Sequence, residues 1–134
     1  MTAEETVFTT WKLAVDPDAV APDGSEVRLL AAASRGSMAH FSLAPGQVSA
    51  AVAHRTVEEV WLVLRGNGRM WRRLGDRSEI VELSPGVSVA IPTGAHFQFR
   101  SDSDEGLEAV GVTMPPWPGA DEAYPVEGPW RSTP

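Results

Sequence analysis

Gly46-Gln47-Val48-Ser49-Ala50-Ala51-Val52-Ala53-His54-Arg55-Thr56-Val57-Glu58-Glu59-Val60-Trp61-Leu62-Val63-Leu64-Arg65-Gly66 is the stretch that decides the fold. A glycine closes it at each end. Between them lie two runs, 48–54 and 59–65, rich in Val and other apolar residues. Each is five to seven residues long, the length and composition of a strand rather than a helix. Side chains alternate faces along a strand, so Val52 shares a face with His54, and Glu59 with Trp61 and Val63. The stretch therefore places an imidazole and a carboxyl on two neighbouring strands.

The same rhythm extends outward. Strands are expected near 6–13, 26–31, 37–43, 68–73, 78–83, 87–92, 95–101 and 107–114. Turn chemistry separates them: Pro22-Asp23-Gly24, Ala44-Pro45-Gly46, Gly66-Asn67-Gly68, Gly75-Asp76, Ser84-Pro85-Gly86 and Pro92-Thr93-Gly94. About ten short strands at regular spacing indicate an all-β sandwich or closed barrel. From Pro115 onward the pattern changes. Six prolines (115, 116, 118, 125, 129, 134) alternate with Trp117, Tyr124 and Trp130. Proline cannot donate to a ladder, so 115–134 is no central strand. Three large aromatics favour an ordered arm lying across its own barrel or a partner, over a disordered tail.

Two segments, Gly46-x5-Val52-x-His54-x4-Glu59-x6-Gly66 and Gly86-x5-Pro92-x-Gly94-x-His96, resemble the two signature motifs of the cupin superfamily. The first family motif reads Gly-x5-His-x-His-x3–4-Glu-x6-Gly, and the second Gly-x5-Pro-x-Gly-x2-His-x3-Asn. The glycine and proline framework matches throughout. The resemblance covers roughly residues 37–114 and implies a single-domain cupin jelly-roll β-barrel, spanning 1–114 with motifs at 46–66 and 86–101, followed by the Pro/Trp-rich arm 115–134.

The family's metal ligands, three His and one Glu, match less well. Val52 stands at the first His position, while His54 and Glu59 are kept. Phe97 stands at the last His position, with His96 one residue early and so on the opposite strand face unless a bulge re-aims it. Ser101 replaces the final Asn. The expectation is no tightly bound metal. The alternative is a weakly held divalent ion on His54 and Glu59 with His96 or His40 as third ligand. For His40 alone, a surface or hydrogen-bonded histidine is the favoured reading.

The family's inward pattern implies that Val52, Trp61, Val63, Met70, Arg72, Phe97 and Phe99 line the cavity around His54 and Glu59, with His40 a further candidate. A carboxyl in such surroundings is pushed up in pKa unless His54 or Arg72 pairs with it, which would make it a competent acid or base near neutral pH. A residual His54–Glu59 ion pair is the structural alternative. Arg72 would clamp a ligand oxygen if it points inward, or reach solvent if the strand twists.

Composition narrows the function classes. With 11 Lys+Arg against 18 Asp+Glu the net charge is −7, which argues against nucleic acid as a partner. No cysteine is present, which removes disulfides, thiolate zinc sites and a cysteine nucleophile. No apolar run approaches the roughly 20 residues of a membrane span, and the acidic start is unlike a signal peptide, so a cytoplasmic protein is expected. The leading expectation is an acid–base enzyme on a small organic molecule, of isomerase, cyclase or lyase type, with Glu59 and His54 handling protons. A metal-dependent dioxygenase and a non-catalytic ligand-binding cupin are the alternatives. Sheet edges and the aromatic arm suggest a homodimer.

Overall fold

The computed structural model describes residues 8–133. Its strands are β1 (Ala19–Val20), β2 (Glu26–Ala33), β3 (Gly36–Leu43), β4 (Val52–His54), β5 (Glu58–Arg65), β6 (Gly68–Leu74), β7 (Arg77–Leu83), β8 (Ser88–Ile91), β9 (His96–Ser101), β10 (Leu107–Met114) and β11 (Ala123–Pro125). A single 3-10 turn, Ala120–Glu122, precedes β11. The strands form two antiparallel sheets, ordered β1-β2-β3-β10-β5-β8 and β11-β4-β9-β6-β7. Facing one another, they make the jelly-roll barrel.

Alternation explains why these residues take this form. Along β5, Glu59, Trp61 and Val63 are buried while Val60, Leu62 and Leu64 are exposed, and β10 alternates throughout. The inward set packs between the sheets: Trp61, Val63, Met70, Leu83, Ile91, Phe97, Phe99, Leu107 and Ala109 form the core. Burying each large member contributes about 1.5–3 kcal/mol. Gly68 is required by a close approach, because a Cβ there would run into the Arg100 carbonyl oxygen of neighbouring β9.

Two expected strands differ. Residues 8–13 form no strand, and 6 and 7 lie outside the described residues. This segment is tied to β2 by side chains instead of a ladder: Thr9 Oγ1 donates to Ala32 O at 2.9 Å, and Arg28 donates to the carbonyls of Ala14 and Val15. A register shift between Leu29 and Ala32 breaks the regular β2 pairing beside it. The strand expected over 48–54 shrinks to Val52–His54, with Val48 making one isolated bridge to Arg100. Its backbone leaves the sheet at Ala50, whose N–H turns to the Asp23 carbonyl at 2.8 Å.

The arm after Met114 is ordered over its own barrel. Ala123–Pro125 adds to the edge of β4. Farther along, the buried Gln98 donates to Ser49 O and Trp130 O at 2.8 Å each, and Trp130 N–H returns a bond to Gln98 Oε1 at 3.1 Å. Trp130 also lies under the guanidinium groups of Arg69 and Arg100, at 5.7 and 5.4 Å. The arm thus covers part of the outer face of the five-stranded sheet, which is why Gln98 is buried although it points away from the core.

Candidate functional site

Between the sheets, beside the β1–β2 edge and the start of the arm, lies a cavity of about 650 Å³. His54 and Glu59 meet in its wall. Val52 and His54 project from β4, and Glu59 and Trp61 from β5. His54 Nδ1 stands 3.8 Å from Glu59 Oε1, too far for a hydrogen bond. Both side chains are almost wholly out of solvent, at 5% and 3% exposure.

The surroundings set their protonation. Burial pushes the Glu59 carboxyl up to about 8. The nearby Trp61 indole opposes that shift, although its N–H geometry falls short of a hydrogen bond, and the Asp23 charge adds to it. Burial pushes His54 down, with the Glu122 charge partly offsetting it. Between the ordinary histidine range and about pH 8, Glu59 is thus a neutral acid and His54 a neutral base. They are not an ion pair there. His54 Nδ1 and Trp61 Nε1 have no hydrogen-bond partner among the described residues. Buried polar atoms are normally satisfied; His40 Nδ1 and Arg72 Nε, outside the cavity, are likewise without a partner among the described residues.

The turn between His54 and Glu59 is held from outside. Glu122 accepts from Thr56 N–H at 2.6 Å, Val57 N–H at 2.9 Å and Thr56 Oγ at 2.6 Å. Burial alone would raise its carboxyl, but these bonds outweigh burial and hold it below the ordinary value. The arm also brings Trp117 edge-on to His54, with ring centroids 5.2 Å apart, while Phe97 does the same from β9.

Three of the expected lining residues, Val52, Trp61 and Phe97, face the cavity. Val63, Met70 and Phe99 do not; they fill the core beside it. Arg72 neither lines the cavity nor extends into solvent. It shares a face with Phe97 but stretches across the barrel end, donating to Ala90 O of β8 at 2.6 Å and Glu79 of β7 at 2.7 Å, and so latches one sheet to the other. His40 also lies outside the cavity. It faces the outer side of the six-stranded sheet, where its Nε2 is 2.9 Å from Glu108 Oε1, because Ala39 and Phe41 take the inward positions. His96 pairs with Ala53 and Arg73 on the outer side of its sheet, and no bulge turns it inward.

The three-His-one-Glu centre implied by the motifs therefore does not fit these residues. Carbon stands at two of its positions, as Val52 and Phe97, and neither His40 nor His96 reaches the cavity. Among the described residues, no group of three or more His, Asp or Glu side chains comes together in metal-binding geometry.

Three participants carry little sequence signal. Asp23 enters the cavity wall from the β1–β2 loop, where its Pro-Asp-Gly setting marks a turn and nothing more. Glu122 lies in a stretch without periodicity. Gly111, on β10, sits directly beneath the rings of Trp61 and Phe41; a Cβ there would come within 2.8 and 2.9 Å of them. A glycine inside a strand is the one hint that something approaches closely.

The comparison with known families agrees with this geometry. The cupin-domain family matches residues 39–113, more than half of the chain. The chain belongs to the cupin family. Solved structures share the cupin fold at low identity. The capsular polysaccharide assembling protein CapF of Staphylococcus aureus aligns with a TM-score of 0.68 at 21% identity, over 89% of this chain and 35% of CapF. Oxalate decarboxylase of Bacillus subtilis aligns at 0.66 and 15%, over 76% of this chain and 28% of that one. The CENP-C cupin domain of Drosophila melanogaster aligns at 0.61 and 13%, over 68% and 70%. This cupin spans only about a third of CapF and less of oxalate decarboxylase, and at such identities the likeness is one of fold. No curated protein matches the sequence.

Proposed function

We propose that this cupin is a small-molecule enzyme of isomerase, cyclase or lyase type that works by proton transfer between Glu59 and His54, without a tightly bound metal. One observation carries the reading: a carboxyl raised to about 8 and an unpartnered imidazole nitrogen share one apolar cavity, 3.8 Å apart. An acid and a base whose surroundings hold both neutral near pH 7 are poised for coupled transfer.

The step balances as follows. His54, with its own proton on Nε2, takes a proton at Nδ1 from a carbon beside a carbonyl. The C–H electrons form a carbon–carbon double bond, and the carbonyl oxygen receives the Glu59 proton. The product is an enol, with an imidazolium facing a carboxylate. Their attraction in an apolar site compensates part of the cost of creating both charges. Return of the protons at a different carbon isomerises the substrate.

The test is solvent-deuterium incorporation into a ketone with acidic α-hydrogens, followed in the wild type and in Glu59→Gln. Loss of a positioned acid or base costs roughly 10²–10⁴ in rate. Exchange that persists in Glu59→Gln overturns the reading. Saturable binding with no exchange in the wild type supports the non-catalytic alternative, which the largely apolar cavity wall also suits.

The proposal includes a cytoplasmic homodimer. No helix among the described residues is long and apolar enough to cross a membrane. Met38, Val112 and Val60 form a cross-strand row on the outer face of the six-stranded sheet, with exposed Leu62 and Leu64 beside it. A self-complementary apolar strip suits pairing about a two-fold axis. A monomer mass by light scattering, at micromolar concentration, overturns this.

A further inference from the structure

The cavity carries information about ligand charge as well as chemistry. Its described lining contains two carboxyls, Glu59 and Asp23, one histidine, and no Lys or Arg. An anion entering it would meet no cation, and burying an unpaired charge is costly. The two orphaned polar atoms narrow the choice further. Trp61 Nε1 is a donor only; it belongs to a cavity-lining residue, is itself buried, and has no acceptor among the described residues. The neutral Glu59 carboxyl offers a second donor beside it. Two donors converging in one place want an acceptor oxygen. An ammonium ion has no acceptor and would leave the indole N–H unsatisfied.

The wall also has a shape. Phe41 and Trp61 lie nearly parallel, with centroids 5.1 Å apart and planes inclined by 17°, and Gly111 lets both rings settle against the sheet. Phe97 and Trp117 meet His54 edge-on from two other elements. Flat aromatic surfaces around a small polar patch suit a flat, largely apolar molecule carrying one or two oxygens.

Asp23 is held firmly in this wall. Its Oδ1 accepts from Ser25 N–H at 2.9 Å and Ser25 Oγ at 2.7 Å, and Ser25 is fully buried. Its backbone carbonyl accepts from Ala50 N–H, which ties the loop to the segment leading into β4. Oδ2 makes no hydrogen bond with the described residues. Burial pushes the Asp23 carboxyl up, with the Ser25 bonds working the other way.

We infer that the cavity selects neutral, flat carbonyl compounds and rejects anionic ones, because its described lining holds no cation to answer their charge. Glu59 and Trp61 donate to the carbonyl oxygen, the aromatic faces hold the ring system, and a carboxylate or phosphate finds no cation in the described lining to pair with. This rests on the proton-transfer reading for the pose of the oxygen at Glu59. The charge selection is measurable separately.

The experiment compares three probes of one shape by calorimetry at pH 7: acetylnaphthalene, naphthoate and naphthylmethylammonium. The wild type is expected to bind the ketone at least roughly tenfold more tightly than either ion, the equivalent of one pK unit of differential interaction. In Asp23→Lys, which places a cation in the cavity wall, the ketone's advantage over naphthoate is expected to shrink severalfold, with the melting temperature confirming that the fold holds. Glu59→Gln keeps an N–H donor, so it is expected to retain ketone affinity while losing deuterium exchange. Naphthoate or the ammonium binding as tightly as the ketone in the wild type overturns the selectivity. An unchanged ratio in a folded Asp23→Lys overturns the missing cation as the cause of the selection. Ketone binding without exchange counts against the proton-transfer reading alone.

Discussion

Glu59→Gln separates two views of the central pair through stability alone. If Glu59 is a neutral buried acid, folding must keep a proton on it that the unfolded chain would release. Its pKa moves from 4.5 to about 8. A raised carboxyl contributes stability that is complete below the unfolded pKa and is lost as pH rises through the folded one. At pH 5 the cost of holding that proton is about 1 kcal/mol, at pH 7 about 3 kcal/mol, and at pH 9 it levels at about 5 kcal/mol, from roughly 1.4 kcal/mol per pK unit. Glutamine has the same shape and no proton to hold. The stability of Glu59→Gln relative to wild type is therefore expected to rise by about 2–3 kcal/mol between pH 5 and pH 7, with little further change above pH 9. Urea unfolding of both proteins across this range measures it, because groups common to both cancel in the difference. If His54 and Glu59 instead form an ion pair, the variant strands a buried imidazolium and loses about 3–5 kcal/mol near neutral pH. A difference that is flat with pH, or that runs against the variant at pH 7, refutes the neutral-acid reading.

Other perturbations test the surrounding parts. Glu122→Ala removes three bonds to one carboxylate and is expected to cost about 2–4 kcal/mol, with faster amide exchange at Thr56 and Val57; unchanged exchange there would show that the arm does not hold this turn. Losing that charge is also expected to lower the His54 pKa further, read from its imidazole resonances. Val52→His places a second imidazole two residues before His54 on the same cavity-facing side, and is expected to take up cobalt(II) with a visible ligand-field spectrum that the wild type lacks; stoichiometric cobalt in the wild type would contradict the donor count. Gly111→Ala is expected to tilt Trp61 and Phe41 off the sheet and weaken ketone binding more than it lowers the melting temperature.

Strand positions and the two motif-bearing segments were legible in the sequence because their signals are local. Alternation along β5 assigns Glu59, Trp61 and Val63 to the core whatever they pack against, and the spacing of Gly46, Gly66, Gly86 and Pro92 marks where the chain must turn. The one-residue displacement of His96 was decisive for the same reason: on a strand, one residue is the other face, and the structure keeps it there. Inward facing, however, is not the same as lining a cavity. Val63, Met70 and Phe99 share the inward face with Trp61 and Phe97, yet the sheets close over the first three and stay apart near the others. Arg72 has an inward position too, but its length lets the guanidinium escape to the barrel end.

What the sequence by itself determined is an all-β sandwich or barrel, which follows from short-range periodicity and turn chemistry, while the resemblance of its two motifs to those of cupins implied that His54 and Glu59 share one cavity. What only the tertiary structure decided is the state of that pair. The carboxyl is neutral because Trp61, Phe97 and the opposite sheet exclude water from it, and because Asp23 arrives from a loop more than thirty residues earlier with no cation to answer it. The turn between the two groups is fixed by Glu122, more than sixty residues later. Desolvation and Coulomb interaction act through space, at distances that chain order does not encode.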